Sequence, residues 1–157
     1  MGNWAAGIAR FALCSAVRVV VGVLVSVQAG AAFFPIPDDK IDREEESKAR
    51  RIAAQLLNKW NEGKFEPLSD DFALTFAQAL PPEDQEKAHN QLRAIFGDFR
   101  SLAFVEALSS LKLPLLTMYR YRGVFSATGA NPEIRLVMDE EGKVAGFWVK
   151  HWQDDVF

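Results

Sequence analysis

From position 41 to 97 the apolar residues recur at helical spacing; beyond position 101 they recur at every second residue. Ile52, Leu56 and Trp60, with Ala49, Ala53 and Leu57 beside them, form one apolar face. This spacing predicts a helix that begins near Ile41 or Asp42. Glu44, Glu45 and Glu46 fill its first turn, where the helix dipole favours negative charge. Gly63 is placed to cap its end. Phe72, Phe76 and Leu80 stay in register in a shorter helix from Asp70 to Leu80. Pro81-Pro82-Glu83-Asp84 opens a third, since proline is tolerated in the first turn, where its missing N–H is not needed. Ala88, Leu92, Ile95 and Phe96 give that helix its buried stripe, and Gly97 stops it.

The period then shortens. Leu102 and Phe104 predict a first strand, and Pro114 separates it from a second running from Leu116 to Ala127. Ile134 to Asp139 and Val144 to Trp152 are the third and fourth, joined through Asp139-Glu140-Glu141-Gly142-Lys143. Three helices followed by an antiparallel meander predict an α+β fold with helices packed on one face of a sheet of about four strands. Successive strand residues face opposite sides. Tyr119, Tyr121, Gly123 and Phe125 therefore share the inner side with Ile134, Leu136, Met138, Ala145, Phe147, Val149 and His151. Arg120, Arg122, Arg135, Trp148, Lys150 and Trp152 fall on the outer side.

Residues 1–31 differ from the rest. They hold Arg10 and Arg18, no acidic residue, the apolar run Val19 to Val27, and then Ala29-Gly30-Ala31-Ala32. This three-part pattern predicts a secretory signal segment cleaved between Ala31 and Ala32. Residues 32–41 read as a Pro-bearing linker, and residues 42–157 as the domain. The expected address is periplasmic or extracellular. An uncleaved inner-membrane anchor is the alternative, at the cost of placing Arg18 within an apolar span.

Composition narrows the chemistry. The net charge is −3, and the only cysteine, Cys14, lies in the leader. Without Arg10 and Arg18 the 18 basic residues become 16 against 21 acidic ones, a net of −5. An acidic domain disfavours nucleic acid, whose affinity comes mainly from Lys and Arg on phosphates. Two dispersed histidines, His89 and His151, and no thiol in the domain give no expectation of a metal or cofactor. His89 sits in a polar stretch, Glu86 to Gln91, and reads as solvated.

Two segments carry a resemblance. Ala53 to Phe65 (AAQLLNKWNEGKF) and Ile134 to Trp148 (IRLVMDEEGKVAGFW), with Phe96-Gly97-Asp98-Phe99 between them, resemble the domain of unknown function 3887 family over roughly residues 42 to 152. That family is similar to the nuclear-transport-factor-2-like, or cystatin-like, superfamily. The resemblance implies a curved sheet wrapped by helices into a cone, and a homodimer through the outer sheet face. It implies no activity.

Inside such a cone Trp60, Phe72, Tyr119, Tyr121 and His151 are the pocket candidates. No carboxylate base falls on an inward strand position. Outside it, Arg120, Arg122, Arg135, Trp148, Lys150 and Trp152 have the composition enriched at protein interfaces. The expectation is a non-catalytic module that binds a small apolar ligand or a protein partner. The alternative is a small pocket enzyme of isomerase or hydrolase type.

Overall fold

The structure, a computed structural model, describes residues 21–23, 32–111, 113–127, 129 and 131–152. The segment read as a cleavable leader lies outside them except for Ala32 and residues 21–23, so Cys14, Arg10, Arg18 and Ala31 are not described.

Three helices come first. Helix α1, Arg43–Asn61, starts at Asp42, whose carboxylate accepts the N–H groups of Glu44 and Glu45 at 2.9 and 3.0 Å. Those are two of the orphan donors every helix start leaves. Helix α2 is Leu74–Ala79 and α3 is Pro82–Phe96, with proline in its first turn. Gly97 ends α3 at φ 78°, a region that favours glycine. A Cβ there would also come within 2.9 Å of the Ala127 backbone nitrogen.

The strands are β1 (Val21–Val23), β2 (Phe33–Pro35), β3 (Phe99–Ser110), β4 (Thr117–Phe125), β5 (Glu133–Met138) and β6 (Val144–Lys150). They form one open antiparallel sheet in the order β1-β6-β5-β4-β3-β2. The fold is therefore α+β, with the expected helices but a larger sheet than the four strands anticipated. Two three-residue edges account for the difference. Phe33–Pro35, within the stretch read as linker, pairs with Leu108–Ser110. Proline is tolerated there because an edge strand has one unpaired side. Val21–Val23, within the stretch read as leader, pairs with Phe147–Val149.

The helices cover one face. Ile52, Leu56 and Trp60 from α1, Phe76 from α2, and Leu92 and Phe96 from α3 pack against Tyr119, Tyr121, Ile134, Leu136 and Phe147. A bulge near Val137 and Met138 shifts the register of β6. Val144 rather than Ala145 consequently enters the core, which corrects the strict alternation expected there.

Two polar side chains fasten the helices to their surroundings. Buried Gln85 accepts the Trp60 indole N–H at 3.1 Å and donates to the carbonyls of Glu66 (2.7 Å) and Leu80 (3.1 Å). Asn61 acts as a one-residue strand: its amide donates to the Phe99 carbonyl at 2.8 Å and accepts the Phe99 N–H at 3.2 Å. His89 is also buried, ringed by Trp60 and Phe65, contrary to the solvated role expected. Gln85, His89, Leu92 and Phe96 stand at i, i+4, i+7 and i+11, so angular position on α3 overrides the polarity of the neighbours.

Gln85→Leu removes the partner of three interior groups, each worth about 1–3 kcal/mol when left unmet. The expected loss is about 3 kcal/mol of unfolding free energy. Denaturant titration should show a lower midpoint at an unchanged slope; a midpoint equal to that of the parent chain would contradict the role given to Gln85.

Candidate functional site

β4 is covered on both sides. On its helix side, Tyr119 and Tyr121 are 1% and 0% exposed. The Tyr119 hydroxyl donates to Glu45 Oε2 at 2.5 Å, and the Tyr121 hydroxyl donates to the Glu46 carbonyl at 3.3 Å. Burial, then the Glu45 carboxylate, pushes the Tyr119 phenol well above its ordinary value. Burial, then the charge of Glu46, does the same for Tyr121. A carboxylate thus does meet an inward tyrosine, a contact the strand-by-strand reading missed because Glu45 comes from α1. The i, i+4 relation of Glu45 to Ala49 and Ala53 on the buried side of α1 was the available signal.

The pocket candidates do not converge on one space. Trp60, Tyr119 and Tyr121 are built into the core, its largest fully buried side chains among them. Phe72 is 7% exposed, stacks on Phe76 with ring centroids 6.0 Å apart, and borders a shallow cleft of about 90 Å³. Ile52, Leu56, Lys59, Glu66 and Gln85 also line that cleft. Small-molecule sites are typically roughly 300–1,000 Å³. His151 is exposed at the end of β6 and meets the Phe96 ring edge-on, 4.9 Å between centroids. The core takes Phe125 and Phe147 as well, so aromatic rings occupy the volume a pocket would need.

The outer face has two parts. Phe33, Leu108, Leu116, Met118 and Val137 form a second buried apolar cluster, with Trp148 packed on it. Gly146 makes room for that indole, since a Cβ there would lie 2.8 Å from Trp148 Cζ3. At the same end of the sheet Leu111, Leu113 and Leu115, in the β3–β4 connection, are 70%, 82% and 47% exposed, and Phe34 is 47% exposed. The connection is held in shape: Ser110 Oγ accepts the Leu116 N–H at 2.9 Å, and Glu140 Oε1 accepts the Leu115 N–H at 3.2 Å.

Beside that cluster runs a ladder of charges. Arg120 Nε donates to Glu133 Oε1 at 2.8 Å, Arg135 Nε donates to the same oxygen, and Arg120 Nη1 donates to Glu106 Oε1. The Arg120 and Arg122 guanidinium carbons stand 4.9 and 4.2 Å from the Trp152 ring centroid. Arg120 is buried, not displayed as the interface expectation had it, because Glu106, Glu133 and Trp152 close over it. Arg122 is exposed; Arg135, Trp148, Lys150 and Trp152 are half-buried. Burial pushes the Glu133 carboxyl up, but hydrogen bonds from Arg120 and Arg135 outweigh it and hold the group below its usual range. Burial, then the charge of Arg135, lowers the Lys150 amine. Among the described residues no three His, Cys, Asp or Glu side chains stand close enough together to hold a metal ion. No helix among them is long and apolar enough to cross a membrane.

With this geometry in view, the chain is similar to one segment of a fungal protein. That protein is the first component, by its printed letter, of the DSC E3 ubiquitin ligase complex, in two strains of Aspergillus fumigatus. It is 33% identical to this chain over 129 residues. The match takes in 74% of this chain but only 14% of the fungal protein's length. No family model matches the chain, and no solved structure matches it.

Glu133 also sets a pH dependence. Its folded pKa lies below the unfolded value of about 4.3. Its stabilisation is therefore complete above that value and is lost as pH falls through the folded pKa. Glu133→Gln should cost about 3 kcal/mol at neutral pH, because buried Arg120 and half-buried Arg135 lose their carboxylate. It should also flatten the fall in stability below about pH 4.3. Urea titrations across this pH range that give parallel curves for the two chains would refute the assignment.

Proposed function

We propose that this chain is a non-catalytic binding module that works by docking a protein partner on the outer face of its sheet. The filling of the inner face by Trp60, Tyr119, Tyr121, Phe125 and Phe147 carries this reading, because it leaves the surface as the place to act. The outer face offers what docking needs. Leu111, Leu113, Leu115 and Phe34 expose a run of large apolar side chains, unusual on a surface with no partner. Trp148, Trp152 and Arg122 lie on the same face, and tryptophan and arginine dominate binding hot spots. The similarity to one stretch of a ligase-complex component supports membership in a larger assembly.

We also read the curved, helix-wrapped sheet as a nuclear-transport-factor-2-like cone, of the kind found in the domain of unknown function 3887 family. The isomerase or hydrolase alternative has one contact in its favour, the Tyr119–Glu45 hydrogen bond. Both groups are spent on each other, and the phenol is held in its protonated form, so the contact reads as a tether between α1 and β4.

For the module's address we keep export through residues 1–31. Cleavage between Ala31 and Ala32 would remove β1 and leave Phe147–Val149 as an edge. Intact mass of the protein isolated from its own cells should then start at Ala32, whereas a mass that retains Val21–Val23 would overturn export by cleavage. The docking claim is tested by Leu111→Ser/Leu113→Asp and, separately, Arg122→Ala/Trp148→Ala. Both pairs should fold like the parent yet drop out of the assembly in which the parent migrates on native gels. Co-migration of both variants with that assembly would refute the proposal.

A further inference from the structure

The long strand β3 has an edge that the rest of the fold leaves open. β2 pairs only with Leu108–Ser110, and the Ile36 N–H adds one bond to the Ala107 carbonyl at 2.8 Å. At the other end the Asn61 amide closes both backbone groups of Phe99. These two clamps also show which way the strand's polar groups point. Phe99 and Ala107, whose side chains face the helices, direct their backbone groups away from β4. Leu102 and Phe104 share that face, where they pack partly buried against the same core. In a strand, residues on one face turn their N–H and C=O to the same side. Two N–H and two C=O groups therefore point out of the sheet between the clamps. Such a row is a ready template for another strand.

We propose that this edge pairs with the same edge of a second copy of the chain. The sequence is self-complementary there. An antiparallel pairing about a twofold axis through Ala103 sets Leu102 opposite Phe104 of the second copy, both on the helix side. Those two residues would exchange both backbone bonds, twice over by symmetry. The same register sets exposed Arg100 opposite Glu106 of the second copy, an attractive pair at each end. It also brings Val105, 40% exposed, over Ser101. Register shifts lie between Phe99 and Ser101 and between Phe104 and Glu106, so the regular stretch is Ser101 to Phe104. Bulges bend a strand and end pairing. They confine the contact to one short ladder, which closes as a dimer and has no second open edge to propagate along. This contact is separate from the proposed docking face and stands or falls without it.

The test uses the full chain. Sedimentation over a micromolar concentration series should raise the mass from 17.5 kDa towards twice that value. Hydrogen exchange on the same samples should slow the Leu102 and Phe104 amides about tenfold at the concentrated end. Arg100→Glu faces Glu106 with a like charge and should weaken association about tenfold while leaving the thermal melt unchanged. Trp148→Ala, on the proposed docking face, should leave the mass series as it is. A constant 17.5 kDa at every concentration would overturn the proposal. A dimer in which those two amides exchange as fast as in dilute solution, or one indifferent to Arg100→Glu, would overturn it equally.

Discussion

A buried charge organises the outer half of this molecule. Arg120 sits in the middle of the sheet at 2% exposure, and an unmatched charge in such a place costs several kcal/mol. Its partners come from the strands on either side, Glu106 on β3 and Glu133 on β5, so the ion ladder also fixes how β3, β4 and β5 align. Glu133 then has to accept from Arg135 as well, which anchors the next rung beside Trp148. What would otherwise be a solvated arginine face becomes a second layer of structure, continuous with the apolar cluster of Leu108, Met118 and Val137.

The consequence for function runs through β4. Because that strand is closed on its helix side by aromatic packing and on its other side by the ion ladder, neither of its faces is left to hold a ligand within the fold. The groups that remain available lie at the rims: the leucines of the β3–β4 connection, Phe34, Arg122 and the half-buried tryptophans. Polar groups inside the molecule are taken up in holding elements together. Gln85 ties the 66–80 segment to α1, Asn61 ties α1 to β3, and the Tyr119 hydroxyl ties β4 to Glu45. This division between an occupied interior and an apolar rim is why docking, rather than turnover, is the proposed role.

Much of the frame was legible in the chain because periodicity is a property of the sequence itself. The three helices and the face assignments of Tyr119, Tyr121, Ile134 and Phe147 follow from it directly. Edges and bulges were not legible. β1 and β2 are three residues each, too short for a period, and the bulge in β6 moves one residue out of the alternation. The buried roles of His89, Gln85 and Arg120 escaped for a different reason. Residue type argues for exposure at all three positions, and only the partners supplied by distant segments, Trp60, Glu66, Glu106 and Glu133, reverse it. The site candidates divided along the same line: apolar patterning placed them on the correct face, but whether a face is open or filled depends on three-dimensional packing.

The central claim is that the outer rim is the working surface and the interior is not. Hydroxyl-radical footprinting of the chain, free and within its native assembly, tests it most directly. The account predicts that Leu111, Leu113, Phe34 and Trp148 lose reactivity in the assembly, while Phe65 and Leu68 beside the helix-side cleft react as they do in the free chain. Protection confined to the helix side, with the leucine rim still reactive, would contradict it.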